Sequence, residues 1–150
     1  MSYWVVVLDL DQEPCAVTYV KSLLPERAAG MILRIAVREI EAWLLADRER
    51  IAAFLHVAVA NVPLNPDLEP DPKATLINLA RRCRKKALRD DIVPRLNSGL
   101  KIGPGYAGRI SEFVTKEEYR WRPEVTAEHS DSLKRCIRAL KNWKMTGEHS

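Results

Sequence analysis

The stretch YWVVVLDLD, residues 3–11, decides how the fold is interpreted, because it joins a strand pattern to a pair of carboxylates. Residues 3–8 are all aromatic, β-branched or leucine, a continuous apolar run that is typical of a strand buried on both faces. We therefore expect residues 3–8 to form a central strand, with Asp9 and Asp11 just beyond its end. In an open α/β sheet, ligands bind at the carboxyl ends of the strands.

A helix and a second strand follow this run. Residues 16–24 carry apolar side chains at helical spacing, and Pro25 and Gly30 end that helix. Residues 31–37, apolar except for Arg34, predict a second strand. Because a strand–helix–strand unit normally has parallel strands and a right-handed crossover, the sequence predicts an α/β fold with a small parallel or mixed sheet and flanking helices.

The rest of the chain is predicted to be mainly helical. A helical period that is interrupted near Asp47 predicts two short helices after the second strand. The segment 61–72 contains four of the nine prolines and is a candidate mobile lid. Further helices are expected at 74–86, 88–96, 106–116 and 130–144. We predict one domain, 1–150, made of an acidic part (1–60), the proline-rich loop (61–72) and a helical, basic part (73–145).

Charge divides the chain in the same way. The 150 residues carry a net charge of +4, but residues 1–72 contain 11 acidic and 6 basic residues, whereas residues 73–150 contain 9 acidic and 18 basic residues. This asymmetry indicates a polyanionic partner for the basic part. With 47% hydrophobic residues, a chain of this length can build its own core, which excludes disordered and collagen-like classes.

The cysteines predict a reducing compartment. Cys15, Cys83 and Cys136 are widely spaced, form no CxxC pair and are odd in number, which argues against a secreted disulfide framework. The apolar run at residues 3–8 has no basic region before it and is too short for a signal peptide or a membrane span. We therefore expect a cytoplasmic protein without membrane association.

Four acidic residues are candidate metal ligands. Asp9 and Asp11 follow the first strand, and Glu39 and Glu41 follow the second, so parallel neighbouring strands would bring them together. Carboxylates, water and phosphate oxygens are the ligands that Mg²⁺ prefers. Because two residues separated by one position on a helix point in different directions, we expect one glutamate to reach the metal and the other to orient Arg38 or a water. Solvated turn residues and a charged helix start are the alternatives.

A run of basic residues is the candidate phosphate-binding surface. Lys and Arg attract phosphate backbones without regard to sequence, although a charged helix face is often only solvated. The predicted nucleic-acid or phosphate contacts are Lys73, Arg81, Arg82, Arg84, Lys85 and Lys86. Trp121 lies between two arginines and is a candidate for base stacking or for the core. The segment 103–108 matches GxGxxG, but it lacks the flanking strands of a dinucleotide site, so we interpret it as a glycine turn before a helix.

Four segments together resemble a known family. DLD at 9–11, REIEAWLLAD at 38–47, DPK at 71–73 and SDS at 130–132 are similar, in that order, to the uncharacterised family called domain of unknown function 4276. That family is regarded as similar to Toprim domains. The resemblance implies phosphodiester chemistry that depends on Mg²⁺ or Mn²⁺, an ATPase partner and a role in antiphage defence.

The resemblance also implies site residues, with one departure. Asp9 and Asp11 match the Toprim acidic pair, and Glu39 or Glu41 matches the acidic helix of the family. Toprim enzymes place a catalytic glutamate on an earlier strand, and only residues 1–8 precede Asp9 here. The resemblance therefore implies an N-terminally shortened member, in which the protein is inactive, Glu41 takes over, or another subunit supplies the group.

Three functions remain open from the sequence. In the first, a nuclease-like enzyme, Asp9, Asp11 and Glu41 are catalytic and hold the Mg²⁺ that activates water for attack on a phosphodiester. In the second, the chain is a degenerate Toprim-like module that binds or regulates without catalysis. The third is a haloacid-dehalogenase-like phosphatase, because an apolar strand that ends in DxD also resembles the nucleophile motif of that family. Lys73 and the pair Asp90 and Asp91 are the candidates for its later motifs.

Overall fold

The structure, a computed structural model, describes residues 3–26 and 29–147. Its sheet consists of β1 (Trp4–Asp9) and β2 (Met31–Ala36), joined by α1 (Ala16–Leu23). The two strands are parallel, with Trp4 opposite Met31 and Asp9 opposite Ala36. The prediction of an α/β fold with a small parallel sheet and flanking helices is confirmed at this level of detail.

The prediction that the first strand is central and buried on both faces is wrong. In the described residues the sheet has two strands only, so β1 pairs with β2 along one edge and leaves its other edge open. Trp4 is 64% exposed and Val5 is 49% exposed. The helices α1 and α8 (Asp131–Gly147) pack mainly on β2. Val7 of β1 packs against the cluster that α8 shares with β2, and the ring of Tyr3 meets that of Trp143 at 5.6 Å. The apolar run therefore reflects strand propensity without the double coverage that usually accompanies it.

The helices after β2 form the main core. Their bounds are α2 (Ile40–Leu45), α3 (Arg48–Leu55), α4 (Pro72–Arg81), α5 (Lys86–Ile92), α6 (Tyr106–Thr115) and α7 (Pro123–Thr126). Apolar side chains from α2 to α6 make one cluster that includes the fully buried Ile51, Leu76 and Phe113. A second, smaller cluster joins Trp43 of α2 to Leu133 of α8 and to the sheet. The break that was predicted near Asp47 is confirmed.

The helix predicted at 74–86 is α4, which ends five residues earlier, at Arg81, and the helix predicted at 88–96 is α5, Lys86–Ile92. The N–H groups of Arg82 and Cys83 donate to the carbonyls of Leu79 and Ala80, three residues back, which tightens the last turn and ends α4. The Arg89 guanidinium then donates to the carbonyl of Cys83 at 3.0 Å. The chain therefore turns at Cys83, and α5 starts in a new direction.

The proline-rich segment 61–72 is packed against the body. Val62 and Pro66 are buried. Asp67 accepts a hydrogen bond of 2.9 Å from the hydroxyl of Ser130, which also caps the start of α8 by accepting from Leu133 N at 3.3 Å. These contacts favour a fixed loop over the predicted mobile lid.

No single helix in residues 3–26 and 29–147 is long and apolar enough to cross a membrane. Two helical segments, Arg48–Leu55 and Val59–Leu68, reach the required length and composition only as a pair that is bent by 110°.

Candidate functional site

The carboxyl ends of β1 and β2 meet the start of α2, and Asp9 ties them together. Asp9 is the last residue of β1, and its Oδ1 accepts a hydrogen bond of 2.8 Å from the backbone N–H of Ile40. This N–H is among those at a helix start that have no partner within the helix, so a carboxylate there is favoured by hydrogen bonding and by the helix dipole. Asp9 is thereby held at the edge where ligands bind in parallel sheets.

Glu39 and Glu41 both reach Lys73, in the first turn of α4. The ammonium of Lys73 lies 3.6 Å from Glu39 Oε1 and 3.7 Å from Glu41 Oε1. The backbone N–H of Lys73 also donates to Glu39 Oε2 at 2.8 Å. The expectation that the two glutamates point in different directions is wrong, because Glu39 precedes α2 in an extended conformation, φ −144° and ψ 157°, and is not on the helix.

Glu41 is buried and only half satisfied. Its side chain is 5% exposed, and its Oε1 accepts a hydrogen bond of 2.7 Å from the hydroxyl of Tyr106, at the start of α6. Its Oε2 has no hydrogen-bond partner among the described residues. Buried carboxylate oxygens are rarely left in this state, because losing water without gaining a partner costs about 1–3 kcal/mol or more. The unpaired Oε2 is therefore a place where a cation or a hydrogen-bond donor could bind.

We call Asp9, Glu39 and Glu41 the acidic cluster. Burial and charge together determine which groups in and around this cluster keep their protons. Burial lowers the pKa of Lys73, but the charges of Glu41, Glu39 and Asp9 raise it by more, so the ammonium is stabilised. Burial raises the pKa of Tyr106, and its hydrogen bond to Glu41 raises it further, so the phenol stays a donor. Burial also raises the pKa of Glu39 in spite of the N–H and charge of Lys73.

Asp11 contacts Arg38 through its backbone. Its backbone N–H donates to the carbonyl of Arg38 at 2.8 Å, and Arg38 Nη1 approaches the Asp11 carbonyl at 3.4 Å. Among the described residues, Asp11 makes no hydrogen bond or ion pair with Glu39, Glu41 or Lys73. Asp11 and Arg38 have positive φ angles of 49° and 64°, a conformation that costs energy and recurs beside functional sites. Arg38 is thus oriented by Asp11 rather than by a glutamate.

The carboxylates of this cluster could supply only some of the ligands of a bound cation. In the described part of the chain, no group of three histidine, cysteine, aspartate or glutamate side chains is arranged to hold a metal ion. Mg²⁺, however, is commonly bound through one or two carboxylates, with water and substrate phosphate as the other ligands. Asp9 and the unpaired Oε2 of Glu41 are compatible with that mode of binding. Glu39 is already paired with the ammonium and the backbone N–H of Lys73, so it could join them only if the Lys73 side chain moved.

The predicted phosphate-binding residues divide into two groups. Lys73 belongs to the acidic cluster, at the first turn of α4. Arg81 lies in the last turn, about 12 Å away along the helix axis. Arg82, Arg84, Lys85 and Lys86 follow Arg81 and are all exposed. Arg81 also borders a groove of about 640 Å³ together with Arg89 and Arg95. The basic surface is therefore separate from the acidic cluster and lies at the other end of α4.

Two motifs of the sequence have structural roles. A Cβ on Gly103 would lie 2.3 Å from the carbonyl oxygen of Asp91, so the glycine turn permits close packing against α5. The interpretation of segment 103–108 as a turn before a helix is confirmed. Trp121 donates from its indole N–H to the carbonyl of Trp43 at 3.1 Å and is partly buried in the core.

Sequence reasoning missed the partners of the buried carboxylates. Tyr106 and Glu41 are 65 positions apart, and Arg122 and Asp47 are 75 apart. No periodicity links residues at such separations. Only the burial of Glu41 was open to prediction, since it lies within the otherwise apolar segment 40–46.

No family model, curated protein or solved structure matches this chain. The geometry of the acidic cluster is therefore the basis for the functional argument that follows.

Proposed function

We propose that this protein is a nuclease-like enzyme that binds Mg²⁺ or Mn²⁺ at the acidic cluster of Asp9, Glu39 and Glu41 and processes a phosphodiester of nucleic acid. The observation that carries the proposal is the buried Glu41 carboxylate, which has one oxygen without a partner among the described residues and pairs through the other with Lys73, itself under the charge of Asp9. Such an arrangement is costly for folding and is explained by a ligand.

The residues of the chain would have distinct roles. Asp9 and Glu41 would hold the cation, which supplies charge stabilisation to the phosphoryl oxygens. Tyr106 orients Glu41 by its 2.7 Å hydrogen bond. Lys73 keeps its proton in this cluster and is placed to donate to a phosphate oxygen. The basic surface at Arg81–Lys86 would hold the nucleic-acid backbone beyond the reacting phosphate.

The resemblance to the domain of unknown function 4276 family and to Toprim domains supports the same proposal. It matches Asp9 to an acidic pair and Glu39 or Glu41 to an acidic helix. It adds two further proposals, an ATPase partner and a role in antiphage defence. Asp11, the second member of the pair, lies in the turn just after β1, where its backbone contacts Arg38.

The test is cleavage of single- and double-stranded DNA and RNA with Mg²⁺ or Mn²⁺ by the wild type and by Asp9→Asn. An asparagine can still accept the hydrogen bond from Ile40, so the fold should persist, and we expect cleavage to fall at least 100-fold. Glu49→Gln is the control, because Glu49 is 77% exposed, contacts Arg122 at 3.1 Å and lies outside the four segments that resemble the family. Equal cleavage by Asp9→Asn and the control would end the proposal.

A second function, a binding module without catalysis, is favoured by one observation. Lys73 lies within 4 Å of both glutamates and partly neutralises them, as a structural ion pair would. This alternative predicts nucleic-acid binding that is insensitive to chelators and falls when Arg81 and Arg82 are replaced by alanine. The phosphatase hypothesis gains no such support, because Asp90 and Asp91 pair with Lys86 and Arg109 rather than with the acidic cluster.

A further inference from the structure

Within residues 3–26 and 29–147, the free edge of β1 is a row of backbone groups without partners in the sheet. Trp4 N–H donates to the Gly30 carbonyl at 2.7 Å, and Leu10 N–H donates to the Ala36 carbonyl at 3.0 Å, so the even-numbered residues of β1 face β2. Backbone groups alternate along a strand. The N–H and C=O groups of Val5, Val7 and Asp9 therefore point away from β2, to the open side.

This edge lacks the usual protection against pairing. Residues 3–8 contain no charged residue and no proline, whereas edge strands are normally blunted by lysine, proline, bulges or a covering element. Tyr3 is 65% exposed, Trp4 is 64% exposed and Leu8 is 36% exposed. A sheet of two strands is also marginal by itself. The edge is therefore suited to receive another strand.

We propose that the occupant is the β1 strand of a second copy of this chain, paired antiparallel about Val6. In this register Val5 and Val7 of the two copies exchange backbone hydrogen bonds, as their outward groups require. On one face, Trp4 of each copy lies beside Leu8 of the other, and the two Val6 side chains meet on the two-fold axis. Such an isologous contact is self-complementary and closes after two copies.

Charge also favours this register. Centring the pair on Val6 places Asp9 of each copy opposite Tyr3 of the other. The two Asp9 carboxylates then lie at the ends of the contact, away from each other and from the paired valines at its centre. Centring it on Val7 would set Asp9 against Val5 and bring the two carboxylates nearer to the middle of the contact. Because carboxylates are costly to desolvate, the register centred on Val6 is preferred to the one centred on Val7.

The exposed area predicts a weak and reversible dimer. Tyr3 and Trp4, 65% and 64% exposed, offer roughly 250 Å² per copy if each ring can bury about 200 Å². Val5 and Leu8 add less than the rings do. The total for two copies is below the roughly 1,600 Å² of a standard interface. We therefore expect a dissociation constant in the micromolar range. The two acidic clusters would lie at opposite ends of a four-stranded sheet.

Sedimentation velocity of the full chain across a concentration series tests the dimer. We expect a reversible monomer–dimer equilibrium for the wild type and a monomer for Val5→Lys, which places like charges along the paired edge. Val17→Lys is the matched control, because Val17 is 64% exposed on α1 and should leave the dimer intact. Circular dichroism verifies that each variant is folded. A wild type that stays monomeric at 100 μM, or a dimer that survives Val5→Lys, would overturn the proposal.

The register has its own test. In a Cys15→Ser background, which removes the exposed cysteine, Val6→Cys should form an intermolecular disulfide under mild oxidation. Facing residues of a non-hydrogen-bonded antiparallel pair have Cα atoms about 4.5 Å apart, within disulfide range. Val17→Cys in the same background should cross-link far less, although it is more exposed. Equal cross-linking of the two variants would contradict the pairing about Val6.

Discussion

Two buried carboxylates lie at opposite ends of α2 and are treated very differently by the fold. Asp47, 1% exposed in its side chain, accepts three hydrogen bonds from Arg122, at 2.7 and 3.1 Å from the guanidinium and 3.0 Å from the backbone N–H. Glu41, 5% exposed, has one hydrogen bond from Tyr106 and a looser ion pair with Lys73. Its second oxygen has no partner among the described residues.

The difference in hydrogen bonding between Asp47 and Glu41 distinguishes a structural carboxylate from a candidate ligand-binding one. A buried charge whose lone pairs are all satisfied is tolerated as part of the folded framework. A buried charge that is left partly unsatisfied weakens the fold, and such groups cluster where a ligand completes them. Asp47 therefore holds the chain before α7 against α2, whereas Glu41 keeps capacity for a cation.

Asp47→Ala should have the largest effect on stability. Removing one partner of a buried ion pair leaves the other uncompensated and typically costs about 3–5 kcal/mol. Because Arg122 is 32% exposed and can regain water, we expect the lower end of that range, about 3 kcal/mol, from urea unfolding.

Glu49→Ala is the matched control for that loss. Glu49 contacts the same guanidinium at 3.1 Å but is 77% exposed, so its ion pair should contribute at most about 0.5 kcal/mol. Equal losses in the two variants would show that burial does not distinguish these carboxylates.

Tyr106→Phe should have an intermediate effect. It removes the hydroxyl that donates to Glu41 and leaves a buried carboxylate with even fewer partners, at a cost of about 1–2 kcal/mol. Tyr119→Phe is the control, because Tyr119 also packs against the main core and its hydroxyl lies beside the exposed carboxylate of Glu118, which raises the pKa of Tyr119, rather than beside a buried one. Urea unfolding measures both. No difference between the two variants would mean that Glu41 does not depend on Tyr106.

Asp67 is a third carboxylate that is at least partly buried, and its hydrogen-bond donors carry no charge. It accepts from the Ser130 hydroxyl at 2.9 and 3.1 Å, and burial raises its pKa above the ordinary value of 3.8 in spite of these bonds. The protonated form is therefore favoured by folding. The protonated Asp67 carboxyl therefore makes its full contribution to the free energy of unfolding below pH 3.8. This contribution is lost as the pH rises through the raised pKa of the folded state.

Asp67→Asn should remove that pH dependence, which is the smallest of these effects. The measurement is the difference in unfolding free energy between the wild type and Asp67→Asn as a function of pH. We expect the wild type to lose stability relative to the variant as the pH rises from 3.8. A difference that stays constant, or that changes in the other direction, would contradict the effect of burial on Asp67.

The parts of the fold that depend on local pattern could be predicted. The strand–helix–strand unit follows from apolar runs and turn residues, and the break at Asp47 follows from a lost helical period. The position of Asp9 at the end of β1 followed in the same way. The exposure of β1 could not be predicted, because it depends on where distant α8 packs. The meeting of Glu39 with Glu41 needed the extended backbone of Glu39, which helical periodicity does not contain.

Binding of Mn²⁺ to the wild type, Glu41→Gln and Glu49→Gln, measured by isothermal titration calorimetry without nucleic acid, tests the central claim most directly. Glutamine keeps the shape of the side chain and can still accept from Tyr106, but it removes the buried charge. We predict sub-millimolar binding by the wild type and by Glu49→Gln, and binding at least tenfold weaker by Glu41→Gln. Absence of binding by the wild type, or equal affinity in Glu41→Gln, would contradict the assignment of Glu41 to a cation site.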